Sequence, residues 1–193
     1  MGRSWLASGI GIALMFSVAC SGGSGGSGVV GGGPSGSTNL VMNFQAAQPS
    51  PGPLSVAMSE VSGPADDQVV VRVSVTDTTD VFGAGFDVLF DASQVRFVQW
   101  TAGTLIESAG PAIYAVTEGA PGNLVIGISC AGCSGGADAN GTVRLIDLIF
   151  ETTDSDSNGS ALTFNSAALQ DSQPPLPGPI AGLSWFGGDL VIN

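Results

Sequence analysis

Val69-Val-Val-Arg-Val-Ser-Val-Thr76 is the stretch that decides the fold. Val69, Val71, Val73 and Val75 alternate with Val70, Arg72, Ser74 and Thr76. A period of two puts the first set on one side of an extended chain and the second on the other, so the segment reads as a strand with one buried face. The same reading extends outward. Phe86, Val88 and Phe90 alternate with Asp87 and Leu89. Val95 and Phe97 follow across the turn at Asp91, then Ile113–Thr117 and then Leu124, Ile126 and Ile128. Thr142–Glu151 is apolar on both faces, which places it inside a sheet with Asp147 turned outward. Leu162–Phe164, Ala168–Leu169 and Leu183–Ile192 complete about nine short strands punctuated by Gly, Pro, Asp, Asn and Ser. The prolines at 174, 175, 177 and 179 exclude that segment from a central strand, because they lack the amide donors of a ladder. The pattern is that of an all-β sandwich or barrel rather than of alternating strands and helices.

Composition limits function. The 193 residues hold 16 acids, four arginines, no lysine and no histidine, for a formal charge of −12. Such a surface repels phosphate backbones, so no nucleic-acid partner is expected. Without histidine, the Ser-His and Cys-His nucleophiles and imidazole acid–base chemistry are absent. A hydrophobic content of 44% still supplies ample core. The expectation is a non-enzyme with no cofactor.

Residues 1–19 read as a signal peptide: Arg3 precedes an apolar run from Trp5 to Val18, shorter than the ~20 residues of a membrane span. Ser17-Val-Ala-Cys20 resembles a bacterial lipobox, which implies cleavage before Cys20 and its lipidation. Residues 20–39 are a Gly/Ser-rich tether. Residues 40–193 are the folded domain. Together these place the protein outside the cytoplasm, lipid-anchored at the outer membrane or cell surface, since Ser21 rather than Asp follows the cysteine. The competing reading of the leader is an ordinary secretory signal.

The order Val69–Val75, then Gly83-Ala-Gly-Phe-Asp-Val-Leu-Phe-Asp91 with Val95-Arg-Phe97, then Gly141–Phe150, then Gly188-Asp-Leu-Val-Ile192, resembles cohesin domains over roughly residues 54–192. Phe90-Asp91 looks like the family's Tyr-Asp-Pro, with Ala92 in place of the proline. The resemblance implies an antiparallel β-sandwich of jelly-roll type, acting as a non-catalytic attachment module with a protein partner, dockerin-like or of another kind, and a link to polysaccharide degradation. The Asn and Asp with which cohesins grip dockerin fall on Gly83 and Gly85, which cannot make those contacts. It also implies a binding face carrying Asp87 and Leu89, with Val143–Phe150 contributing. The alternative is a carbohydrate-binding module acting on polysaccharide, for which Trp100, Tyr114 and Trp185 are the candidate stacking residues.

Three further motifs carry chemistry of their own. Cys130-Ala-Gly-Cys133 has redox spacing, but it lies in an expected loop, Ser129–Asn140, with no helix N-terminus to lower a thiol pKa. A disulfide is expected, with free thiols as the alternative. Asp154, Asp156 and Asn158 match the first half of a calcium loop, but the twelfth position is Asn165 rather than Glu and the flanking segments are strands. A plain turn competes there, and Asp138–Gly141 reads as a turn as well.

Overall fold

The computed structural model describes residues 40–193 apart from 64, 155, 174 and 175. The strands are β1 (Met42–Ala46), β2 (Ser55–Val61), β3 (Gln68–Val81), β4 (Gly83–Leu89), β5 (Val95–Ala102) and β6 (Ala112–Ala120). They continue with β7 (Asn123–Cys130), β8 (Ala137–Thr152), β9 (Ser160–Gln170), β10 (Ser184–Phe186) and β11 (Gly188–Ile192). One sheet has the order β1-β11-β9-β4-β7-β6 and the other β10-β2-β3-β8-β5. Every pairing is antiparallel except β10 with β2. The all-β sandwich read from the sequence is the fold.

The alternating valines of β3 are fully buried, facing Phe86 and Val88 of β4 and Leu124, Ile126 and Ile128 of β7 in one core. Each such side chain contributes roughly 1.5–3 kcal/mol of transfer free energy. Trp100 of β5 stacks on Tyr114 of β6 with centroids 5.1 Å apart, closing the sandwich between two edge strands.

Several boundaries differ from the sequence reading. Eleven strands replace about nine. Leu183–Ile192 is two strands, because the chain leaves the five-stranded sheet after Phe186 and joins the six-stranded one at Gly188. Gly187 makes that crossing, where an added Cβ would collide with the Leu162 carbonyl. Leu162–Phe164 and Ala168–Leu169 belong to a single strand, β9, whose register against β4 shifts between Gly85 and Asp87; Ser166 takes a positive φ of 48° there. Asp138–Gly141 is not a turn. β3 continues to Val81, and Ala139 and Ala137 pair with Thr78 and Val81, so the expected loop shrinks to residues 131–136.

The double-sided apolarity of Thr142–Glu151 also has a local cause. Val73 pairs with Ile146 but Ser74 with Arg144, so Leu145 is an extra residue and both Leu145 and Ile146 point inward. Asp147 does sit on the outer side of β8, opposite Arg72, but it is only 6% exposed. Two arginines cover it.

Candidate functional site

The outer side of the six-stranded sheet is organised in rows across four neighbouring strands. One row is Ala115, Gly127, Gly85 and Ala168, taken from β6, β7, β4 and β9 in turn. It is flanked by Thr117, Val125, Asp87 and Asn165 on one side and by Ile113, Ser129, Gly83 and Gln170 on the other. The central row is a floor. Nothing lies within 4 Å of a Cβ placed on Gly85, and one on Gly127 meets only the Ala115 methyl at 3.9 Å. Rows two residues apart along a strand are ~7 Å from each other, so the flanks stand about 14 Å apart, wide enough to seat a helix of ~10 Å diameter.

Large apolar side chains rim this trough in the open. Ile113 is 61% exposed, Val125 38% and Leu89 36%. Asp87, half-buried, lies beside Val125. Leu89 continues into an open cleft of about 430 Å³ lined by Phe90, Asp91, Ser160 and Thr163.

That end of the face is set by the turn after β4. The Asp91 carbonyl accepts the N–H of Gln94 and of Val95, each at 3.0 Å. Its carboxylate accepts the Ser93 hydroxyl at 2.6 Å and the Ser93 N–H at 2.9 Å. These bonds, the hydroxyl first, hold the Asp91 carboxyl below its usual range. Phe90 has already left the strand and packs edge-on against Phe150, centroids 5.4 Å apart.

The two sheets differ in charge. All three arginines among the described residues lie on the outer side of the five-stranded sheet. Arg72 makes a two-pronged bond to Asp147 at 2.8 and 3.0 Å, Arg144 reaches the same carboxylate at 3.1 Å, and Arg96 pairs with Glu151. Gln68 also donates to Glu151, at 2.8 Å. The trough therefore carries Asp87 with no basic residue around it. Val143–Phe150 lies in β8 of this opposite sheet and cannot share a face with Asp87 and Leu89, whose strand pairs with β7 and β9. That expectation is corrected.

The remaining candidates separate. Cys130 ends β7, and its sulfur meets that of Cys133 with the Cα atoms 5.8 Å apart. Asp154 accepts the Asp156 N–H at 2.9 Å and Asn158 N–H donates to Gln94 at 2.7 Å, the bonding of an Asx turn. Among the described residues no group of three acids or cysteines converges on a metal position. Trp185 packs with Phe86 and Phe164, at 5.7 and 5.0 Å, away from the Trp100–Tyr114 stack, so the three aromatics form no common platform. Cys20 lies outside the described residues.

Sequence reasoning missed Asp80. Its carboxylate accepts Ser172 Oγ at 2.5 Å, Gln173 Nε2 at 2.9 Å and Gly136 N–H at 2.9 Å, which ties three segments together. The Ser172 hydroxyl first, then Gln173, lowers its pKa to about 2. No local pattern marks it, since its partners are 56 to 93 residues away.

A family model for the Cohesin domain matches residues 54–174. No curated protein matches the chain. Among solved structures, the sixth cohesin of scaffoldin B from Acetivibrio cellulolyticus, crystallised with a dockerin, is 18% identical at a TM-score of 0.51, covering 69% of this chain and 95% of that one. A type II cohesin domain from the cellulosome of Acetivibrio cellulolyticus is 12% identical at 0.55, covering 72% and 94%. The seventh ScaB type I cohesin from Pseudobacteroides cellulosolvens is 16% identical at 0.52, covering 77% and 90%. At these identities the structures establish a shared fold.

Proposed function

The chain belongs to the cohesin domain family, and from that premise we propose that it is a non-catalytic attachment module that seats a helical protein segment in the trough floored by Gly85 and Gly127. One observation carries the reading: exposed Ile113, Val125 and Leu89 rim a row of glycine and alanine on a single sheet face. Apolar area desolvated there supplies affinity, and the side-chain-free floor lets a helix approach closely.

The partner differs from the standard dockerin contact set. Gly83 and Gly85 offer no hydrogen-bonding side chain, so recognition falls to Asp87 and to the apolar rim. Asp87, without a cation on its own face, favours a neutral or basic partner surface, and association weakens as salt rises. The module is held at the cell envelope through a lipid on Cys20, with residues 20–39 as the tether; this part rests on the sequence alone. Trp100 and Tyr114 stack on each other and Trp185 packs among phenylalanines, so the three do not make one stacking platform, which favours the protein-partner reading.

The test is capture of partners from the secreted proteins of the source organism, using the wild-type domain and Asp87→Arg with Leu89→Glu. The wild type is expected to hold a partner that the double variant loses at unchanged thermal stability. Gln99→Glu, on the other sheet, should retain it. Equal capture by all three overturns the assignment of the face.

A further inference from the structure

Two of the seven asparagines, Asn140 and Asn158, are followed by glycine and then by a hydroxyl residue, Thr142 and Ser160. Each also has an aspartate two positions earlier, Asp138 and Asp156. None of the other five asparagines has a hydroxyl residue at that place. Turn chemistry accounts for Asp, Asn and Gly, but it does not call for a hydroxyl two residues after the asparagine. Asn-x-Ser/Thr is the acceptor pattern for an N-linked glycan.

The fold presents both segments in usable form. Between asparagine and hydroxyl each segment turns at a glycine of positive φ, Gly141 at 72° and Gly159 at 90°. In β8, Asp138, Asn140 and Thr142 are exposed while Ala137 and Ala139 are buried. In the β8–β9 connection, Asp156 and Asn158 are exposed on either side of buried Ser157, and Ser160 is half-buried. Among the described residues neither amide nitrogen is held by a neighbour, apart from a 3.4 Å contact from Asn158 Nδ2 to the Asp156 carbonyl.

We infer that Asn140 and Asn158 are glycan acceptors, modified by transfer from a polyprenyl-diphosphate-linked oligosaccharide during export. The Asn Nδ2 forms a bond to C1 of the reducing-end sugar, and the C1–O bond to the diphosphate breaks with its electron pair on the departing oxygen. The displaced Nδ2 proton passes to a carboxylate of the transferase, and nothing is oxidised or reduced. The aspartate two residues before each acceptor meets a cationic group of that enzyme, and the hydroxyl two residues after it completes a hydrogen bond. Neither asparagine belongs to the rows of the trough, although Asn158 directly precedes Gly159 and Ser160 at the cleft beyond Leu89. The inference does not depend on the docking reading.

The experiment is intact-mass and peptide-fragmentation analysis of the protein purified from its source organism, beside Asn140→Gln, Asn158→Gln and the double variant made in that organism. Sugar increments are expected on both peptides. Each single variant loses one, and the double variant loses both while melting at the wild-type temperature. Asp138→Ala and Asp156→Ala should reduce occupancy of their own sites several-fold. The inference is overturned by peptides at bare mass, by amide-to-acid hydrolysis alone, or by sugar that persists in the double variant.

Discussion

Gly85 of β4 stands directly opposite Gly127 of β7 on the outer side of the six-stranded sheet, and this pairing of two residues without side chains opens the trough. Neighbouring Gly83 is of a different kind, because a Cβ there would lie 2.9 Å from the Ile128 carbonyl oxygen. One glycine makes space outside; the other lacks space around it.

Opposite outcomes are therefore expected in one strand. Gly85→Trp should change stability by no more than about 0.5 kcal/mol, as an outward residue does, while abolishing partner capture. Gly83→Ala should cost roughly 1–3 kcal/mol through displaced backbone. Urea unfolding of both variants checks the contrast, and equal losses would remove the distinction.

Arg72 and Arg96 provide a second contrast. Arg72 contributes two bonds to Asp147, whose side chain is 8% exposed, and its removal leaves that carboxylate with Arg144 alone. Arg72→Ala is expected to cost about 2 kcal/mol, below the 3–5 of a fully buried pair because Arg72 is one-third exposed. Arg96 is 68% exposed and Glu151 keeps Gln68, so Arg96→Ala should cost less than about 1 kcal/mol. Denaturant midpoints decide the order.

Asp80 gives a pH dependence with a defined sign. Its carboxyl titrates at about 2 in the folded state, below the unfolded value of about 3.9. The stabilisation is thus full above the unfolded value and is lost as pH falls from about 4 towards 2. Asp80→Asn should flatten that part of the stability curve and speed hydrogen exchange at Gly136 and Ser172. A curve of unchanged slope would show that the carboxylate is not the group responsible.

Cys130 and Cys133 should give no free thiol in unreduced protein. They are three residues apart, so the bond closes a very short loop, and the chain-entropy account gives a loss of only ~1–2 kcal/mol on reduction. Thiol titration with and without reductant, followed by melting, tests both parts. Two titratable thiols before reduction would remove the bond.

Cys20 is expected to be the lipidated first residue of the processed chain. Intact mass should show loss of residues 1–19 together with added acyl mass, and the protein should enter the detergent phase on partitioning. Recovery in the aqueous phase at unacylated mass would argue for an ordinary secretory signal.

What the residues determined unaided was mainly the inside and outside of each strand. The valines of β3, Phe86 and Val88 of β4, and Leu124, Ile126 and Ile128 of β7 all face the core, because a period of two is a property of the backbone. Which strands become neighbours is a different matter, settled by loops and by long-range pairing. Only the folded chain puts β8 in the sheet opposite β4, and so separates Val143–Phe150 from Asp87 and Leu89. Leu145 as an extra residue, the sheet change at Gly187, and the burial of Asp147 beneath Arg72 and Arg144 are likewise products of register. The trough shows the division most clearly. Ala115, Gly127, Gly85 and Ala168 come from four strands, and no segment shows them as a set until hydrogen bonding aligns them in one row.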